Sequence, residues 1–120
     1  MTAASQLSPV IRIVDDDDRV RESVAFVLQI DGHQTEEYES AEDFLKFSDF
    51  ERPGCIVLDI RMPGMSGLEL QLELKNRGST IPILFLTGHG DMAAAVMALK
   101  RGAADFVAKP IEPEVLQSSV

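Results

Sequence analysis

The sequence is short of several kinds of residue, and each shortage narrows the possible structures. A single cysteine, Cys55, excludes an internal disulfide and a metal site built on paired thiolates. The longest unbroken apolar run, residues 92–99, is far below the ~20 residues needed to cross a bilayer. Residues 1–9 lack the basic start and apolar middle of a secretory signal. We therefore expect a cytoplasmic protein that does not interact with membranes.

Basic residues are also scarce. Eleven Lys and Arg stand against twenty Asp and Glu, which gives a formal net charge of −9. Because such a surface repels phosphate backbones, we expect no direct binding of nucleic acid by this chain. The 120 residues, of which 45% are hydrophobic, fit one compact domain with a core of its own.

Short apolar runs alternate along the chain with longer amphipathic segments. The runs at 55–58 and 83–86 are apolar at consecutive positions, which is typical of strands that are covered on both faces. Three of the intervening segments end in glycine, a residue that readily closes a helix: Gly32, Gly78 and Gly102. This alternation predicts an α/β fold with parallel strands joined by right-handed crossovers.

Two local patterns need an interpretation. Residues 68–74 alternate leucine with polar residues, as a strand does, but all are good helix formers and the crossover requires a helix. We predict a helix there, with one pair of leucines partly exposed and with Ser66 and Glu69 forming a capping box at its start. At the first helix we predict that Asp18 is the N-cap.

Chemically active side chains follow four of the five predicted strands. Asp15 and Asp16 follow the first strand, and Asp59 ends the third. Thr87 follows the fourth strand, and Lys109 follows the fifth. Ligands bind beyond the carboxyl ends of the strands in an open parallel sheet, so we expect these groups to share one pocket.

Each of these residues alone is more often a turn former, a cap or a surface charge, but their joint placement favours a site. Crowded carboxylates require a cation, and ligands that are all oxygen favour a hard ion such as Mg²⁺. An aspartate beside a metal, a lysine and a hydroxyl is equipped to attack phosphorus and to hold the product. The residues therefore predict acceptance of a phosphoryl group on aspartate.

Four motifs, in this order and spacing, closely resemble those of the receiver domains of two-component response regulators. The resemblance runs from Ile11 to about Leu116, and its motifs occupy residues 14–16, 58–67, 86–91 and 109–110. The later motifs are similar to those of the FixJ-type subgroup, whose members usually carry a LuxR-type helix-turn-helix output domain. The resemblance implies a signalling phosphoacceptor in transcription regulation rather than an enzyme that acts on an external substrate.

The resemblance also implies an architecture. It is the flavodoxin-like (CheY-like) fold, a doubly wound five-stranded parallel sheet in the order 2-1-3-4-5. Residues 1–9 would form an N-terminal tail and residues 10–120 the receiver domain. The segment after Pro113 offers a shorter last helix than the family usually has. We therefore expect a domain excised from a longer protein with a C-terminal helix-turn-helix DNA-binding domain.

The resemblance implies a role for each matching acidic residue. Asp59 would accept the phosphoryl group from a sensor histidine kinase. Asp16 would bind Mg²⁺ (or Mn²⁺) directly and Asp15 mostly through water, with Asp59 and the backbone carbonyl of Arg61 as further ligands. Arg61 and His89, each two residues after a functional residue, would tune the lifetime of the phosphate.

Other roles concern the change of state. Thr87 would bond the phosphoryl group and Lys109 would pair with it, while Phe106 would be an aromatic switch that turns inward as Thr87 moves. Pro110 would follow a cis peptide bond. The fourth helix and fifth strand would then form the face for homodimerisation on phosphorylation or for release of the output domain.

Three other functions compete with this interpretation. A flavodoxin-like electron carrier needs an uncharged loop after the first strand, where this chain has four aspartates. A Mg²⁺-dependent phosphatase with an aspartyl nucleophile favours a second Asp at the position of Arg61. A receiver that acts without phosphate is disfavoured by the complete acidic pocket but stays open.

Overall fold

The computed structural model describes residues 8–88 and 90–120. In this part of the chain, strands and helices alternate throughout. In chain order they are β1 (Val10–Val14), α1 (Asp18–Ile30), β2 (Thr35–Tyr38), α2 (Ala41–Phe47), β3 (Gly54–Asp59), α3 (Gly67–Asn76), β4 (Ile83–Thr87), α4 (Met92–Lys100), β5 (Asp105–Ala108) and α5 (Pro113–Ser119).

The strands form one parallel sheet in the order β2-β1-β3-β4-β5. Both the α/β class and the predicted strand order are therefore confirmed. The order reverses between β1 and β3, and the carboxyl ends of these strands border the crevice where such sheets bind ligands. The register pairs Val14 with Leu58 and Asp59 with Leu86, which brings the ends of β1, β3 and β4 to one edge.

A separate apolar core covers each face of the sheet. On one face, Phe44 of α2 and Leu70 of α3 are fully buried against the strands. On the other face, Leu28 of α1 and Leu116 of α5 are equally buried. The central strands are buried on both faces, as their consecutive apolar residues predict.

The helix predicted from the alternating leucines is confirmed as α3. The Ser66 side chain accepts a hydrogen bond from the backbone N–H of Glu69, and the Glu69 side chain accepts one from the Ser66 N–H, so the capping box is present. Leu70 and Leu74 are buried, whereas Leu72 is 48% exposed. The helix propensity of these residues, and the need for a helical connection between two parallel strands, therefore outweigh the alternating pattern.

The prediction that Asp18 caps α1 is wrong by one residue. Asp17 is the N-cap, and its carboxylate accepts hydrogen bonds from the backbone N–H groups of Arg19 and Val20 at 2.9 and 3.4 Å. Asp17 has the extended backbone typical of an N-cap, and Asp18 lies in the first helical turn. A carboxylate there still interacts favourably with the helix dipole.

The last helix, α5, has seven residues and leaves Val115 45% exposed. Its one buried apolar side chain among the described residues is Leu116. None of the helices in residues 8–88 and 90–120 has the length and apolar character required to span a membrane.

Candidate functional site

Three carboxylates meet at the carboxyl edge of the sheet. Asp15 and Asp16 directly follow β1, and Asp59 is the last residue of β3. One carboxylate oxygen from each residue lies within 4.8 Å of those from the other two. Asp15 and Asp59 are buried, while Asp16 is exposed and opens the cluster to solvent. The structure thus brings together the acidic residues that the sequence places at these strand ends.

Lys109 supplies the positive charge of the cluster. Its Nζ lies 3.3 Å from Asp15 Oδ2 and 3.3 Å from Asp59 Oδ1. Its backbone N–H donates to the Thr87 carbonyl at 2.8 Å, which fixes the start of the loop after β5. One ammonium faces three carboxylates, so negative charge is in excess.

This excess shows in the ionisation of the cluster. Burial, followed by the charge of Asp15, raises the pKa of Asp59 to about 6, although Lys109 opposes the change. Burial also raises the pKa of Asp15, against a hydrogen bond from the Asp17 backbone. Burial alone would lower the pKa of Lys109, but Asp59 and Asp15 outweigh it and the pKa is raised. A bound cation would relieve the repulsion between the carboxylates.

The donor set fits a hard divalent cation. All candidate ligand atoms are oxygens, and the buried Asp15 Oδ2 has an ion pair with Lys109 but accepts no hydrogen bond from the described residues. Asp15 Oδ1 is held in place by the backbone N–H of Asp17 at 2.9 Å. Oxygen ligands and a partly open site suit Mg²⁺, which keeps several of its waters.

Thr87 lies at the same edge on the adjacent strand, and Phe106 lies on the strand beyond it, further from the cluster. Thr87 is the buried last residue of β4. Because Asp59 is in register with Leu86, Thr87 lies one residue beyond Asp59 at the same edge. Phe106 is half-buried in β5, opposite Phe85, and packs against the core beneath α4.

The loops after β3 and β5 carry two further predicted residues, Arg61 and Pro110. The Lys109–Pro110 peptide bond is cis, as the resemblance implies. Arg61 has a 75% exposed side chain, and its Nε–H donates to the buried carboxylate of Asp91 at the start of α4. His89 lies outside the described residues, so its role in phosphate lifetime stays a prediction.

Three residues that support the site were not singled out from the sequence. Arg21 of α1 donates from Nη1 to the Asp15 carbonyl at 2.7 Å. Glu42 of α2 accepts a hydrogen bond from the Met65 backbone N–H at 3.0 Å and so holds the loop after β3. These contacts join residues whose spacing in the chain carries no signal. Asp91 does stand in a recognised motif, but its partner Arg61 is 30 residues away.

Comparison with known proteins identifies the class of protein to which this fold and this site belong. The family model described as "Response regulator receiver domain" matches residues 11–120. The chain therefore belongs to the receiver domains of response regulators, and its relatives place it with the FixJ-type subgroup.

Two curated relatives and one solved structure illustrate this similarity. The transcriptional regulatory protein FixJ of Azorhizobium caulinodans is 46% identical over 92% of this chain and 52% of its own length. The response regulator protein TodT of Pseudomonas putida is 43% identical over 97% of this chain and 51% of its own. The crystal structure of FixJ-N has a TM-score of 0.86 and 44% identity, covering 93% of this chain and 90% of its own. This chain thus spans about half the length of these curated relatives.

Proposed function

We propose that this domain accepts a phosphoryl group on Asp59 and thereby regulates transcription through another part of a longer protein. The observation that carries the proposal is the Asp59 carboxylate itself, which is buried at the end of β3 against Lys109 Nζ and the other two carboxylates. Relatives that are named as transcriptional regulatory proteins, and of whose length this chain covers about half, support the second half of the proposal.

The chemistry follows from the groups around Asp59. A carboxylate oxygen of Asp59 attacks phosphorus, and the bond from phosphorus to the histidine nitrogen of a sensor kinase breaks. The leaving imidazole keeps the electron pair and takes a proton from solvent. With a pKa of about 6, Asp59 is mostly ionised, and hence nucleophilic, at pH 7.

Three neighbouring residues would stabilise the transferred group. The Lys109 ammonium pairs with Asp59 Oδ1 in the unmodified domain. After transfer it would pair instead with the negative charge on the phosphoryl oxygens. The Thr87 hydroxyl, one residue beyond Asp59 on the adjacent strand, would donate to a phosphoryl oxygen. Mg²⁺, held by Asp15, Asp16, Asp59 and the Arg61 carbonyl, would neutralise charge on the phosphoryl group.

The proposed conformational change extends from the site to β4, α4 and β5. Contacts of Thr87 with the phosphoryl group would favour one of two conformations, with Phe106 turning inward in the active one. Helix α4 exposes four apolar side chains that this change would present to a second copy or an output domain: Met92, Val96, Met97 and Leu99. Arg61 and His89 would set how fast water removes the phosphate.

The proposal is tested by incubating the chain with acetyl phosphate and weighing it intact. We expect one added phosphoryl group with Mg²⁺ and almost none with EDTA. The Asp59→Asn variant should gain none, while the matched Asp105→Asn variant, altered at the start of β5, should behave as wild type. Equal labelling of Asp59→Asn and wild type would overturn the proposal.

A further inference from the structure

Helix α4 begins differently from the three helices before it, and among the described helices it shares the lack of a side-chain cap hydrogen bond only with the last one, α5. Three other helices have a side chain that accepts hydrogen bonds from their first amides, namely Asp17 at α1, Ser40 at α2 and Ser66 at α3. At α4 the N-cap residue is Asp91, one of the best capping residues, yet no described side chain caps this helix. The carboxylate of Asp91 instead accepts the Nε–H of Arg61.

The backbone conformation of Asp91 is also not that of a capping residue. Its φ and ψ are −101° and 18°, whereas an N-cap residue usually has an extended backbone, as Asp17 and Ser66 do. Capping by Asp91 therefore requires both loss of the Arg61 contact and a turn of the Asp91 backbone. Gly90, at φ 87°, and Gly88 flank this loop and have no side chains to resist that turn.

The partner of Asp91 is well placed to leave. The Arg61 guanidinium is 75% exposed, so moving it costs little packing, and Arg61 lies two residues after Asp59 in the chain. A phosphoryl group on Asp59 would replace the single negative charge of the carboxylate with about two, two residues before Arg61 in the chain. Guanidinium groups bind phosphate oxygens in bidentate geometry, so the modified Asp59 would compete with Asp91 for Arg61.

We propose that Asp91 is a positioning residue that exchanges partners on phosphorylation. Its carboxylate binds Arg61 in the unmodified domain and caps the first amides of α4 in the phosphorylated one. The exchange connects the loop after Asp59 directly to α4 and stabilises the start of that helix when Asp59 is modified. This inference rests on the proposed function of Asp59.

Amide hydrogen exchange, followed by NMR, reports capping directly. The amides of Ala93 and Ala94 occupy the two positions to which an N-cap side chain bonds. A normal aspartate cap should slow their exchange by about fivefold. We would measure both amides in the full chain with Mg²⁺, with and without beryllofluoride as the phosphoryl analogue.

The variants separate the two roles of Asp91. Arg61→Gln frees the carboxylate, and Asp91→Ser caps without attracting Arg61, so both should show slowed exchange without beryllofluoride. Asp91→Ala can do neither and should exchange at the wild-type rate. In wild type, beryllofluoride should slow both amides by about fivefold, and in Asp91→Ala it should not.

Failure of this inference can be distinguished from failure of the proposed function. Fluorine NMR shows whether beryllofluoride binds, and Asp59→Asn shows whether it binds at Asp59. Absence of binding would contradict the proposed function, while Arg61→Gln without the analogue would still test the exchange of partners. Unchanged Ala93 and Ala94 exchange in Arg61→Gln, or slowing by beryllofluoride in Asp91→Ala, would overturn the inference.

Discussion

At the scale of single residues, the negative charge on Asp59 is unfavourable in the metal-free site. Burial and the adjacent Asp15 disfavour that charge, and Lys109 compensates for only part of it. Holding an ionised Asp59 therefore reduces the stability of the metal-free domain. In the proposed function, the same surplus charge would provide the affinity for a cation, and that cation would in turn bind oxygens of the phosphoryl group.

Removing this charge should stabilise the metal-free protein. Asp59→Asn keeps the size of the side chain and leaves Lys109 paired with Asp15, so we expect unfolding to cost about 1–3 kcal/mol more in EDTA at pH 7.5. Urea unfolding measures this difference. Glu22→Gln, which removes one charge from an exposed position of α1, is the control and should change little. A destabilised Asp59→Asn would contradict this electrostatic account.

The titration of Asp59 predicts that the stability of the metal-free protein depends on pH. The pKa of Asp59 is about 6 in the fold and 3.8 as its ordinary value, so between these values the folded state binds more protons than the unfolded state. The stability of the metal-free protein should therefore fall as pH rises from about 4 to 6, by at most about 3 kcal/mol. Urea unfolding of wild type relative to Asp59→Asn isolates this contribution. Saturating Mg²⁺ should abolish the fall, and a rise would refute the assignment.

The sequence predicts the chemically active side chains of the site better than it predicts the hydrogen bonds that hold the surrounding loops in place. Side chains at strand ends are predictable because parallel strands end at one edge, which places Asp15, Asp59 and Lys109 together. The hydrogen bonds of Arg21 and Glu42 depend on how helices α1 and α2 rotate about their axes. Only the packed structure determines those rotations.

At the scale of elements, the junction of β3 and α3 holds the strand that ends in Asp59 against the next helix. The Gly67 N–H donates to the Ile60 carbonyl at 2.8 Å, just beyond the end of β3. A Cβ at Gly67 would lie 2.1 Å from the Asp59 carbonyl oxygen. Only glycine therefore allows α3 to begin so close to the end of β3.

Gly67→Ala should consequently damage both stability and function. We expect a loss of about 2–3 kcal/mol in urea unfolding, because backbone must shift to admit the methyl group. The displaced Asp59 should be labelled by acetyl phosphate roughly tenfold to a hundredfold more slowly.

Gly78→Ala is the matched control for this substitution. A Cβ there meets nothing within 4 Å, although the φ of 77° makes alanine cost about 1 kcal/mol. Its rate of phosphorylation should equal that of wild type. Equal rates for the Gly67→Ala and Gly78→Ala variants would exclude the proposed steric role of Gly67.

The start of a helix can be predicted from the sequence at α3 but not to the exact residue at α1. The capping box of Ser66 and Glu69 fixes the start of α3 because it requires two residues at a set spacing. The four consecutive aspartates at the start of α1 offer several possible caps, and the difference between Asp17 and Asp18 depends on backbone angles that composition does not encode.

At the scale of the whole molecule, the apolar surface is distributed unevenly. Four of the nine large apolar side chains that are exposed among the described residues lie on α4, where Met92 is 57% and Met97 46% exposed. Phe26 and Ile30 of α1 and Phe47 of α2 are individually more exposed but lie on other helices. Helix α4 follows the loop after Thr87 and packs beside β5. A change at the proposed phosphoryl site would therefore have a short path to an exposed apolar surface, which supports the proposed homodimer.

Dimerisation can be tested with one substitution on that surface. Met97→Glu should weaken the beryllofluoride-induced dimer by about tenfold or more, because it places a charge in an apolar contact. Leu72→Glu, on the exposed face of α3, should leave the dimer unchanged. Sedimentation velocity with Mg²⁺ and beryllofluoride gives both affinities. A dimer that Leu72→Glu weakens and Met97→Glu does not would place the interface elsewhere.

The most direct test of the account is chemical identification of the phosphorylated side chain. The chain is treated with acetyl phosphate and Mg²⁺ and reduced with borohydride, which converts an aspartyl phosphate to homoserine, and its peptides are then sequenced by mass spectrometry. We predict homoserine at position 59 and at no other aspartate, with none formed in EDTA. Homoserine at position 15 or 16, or its absence from position 59, would contradict the central claim.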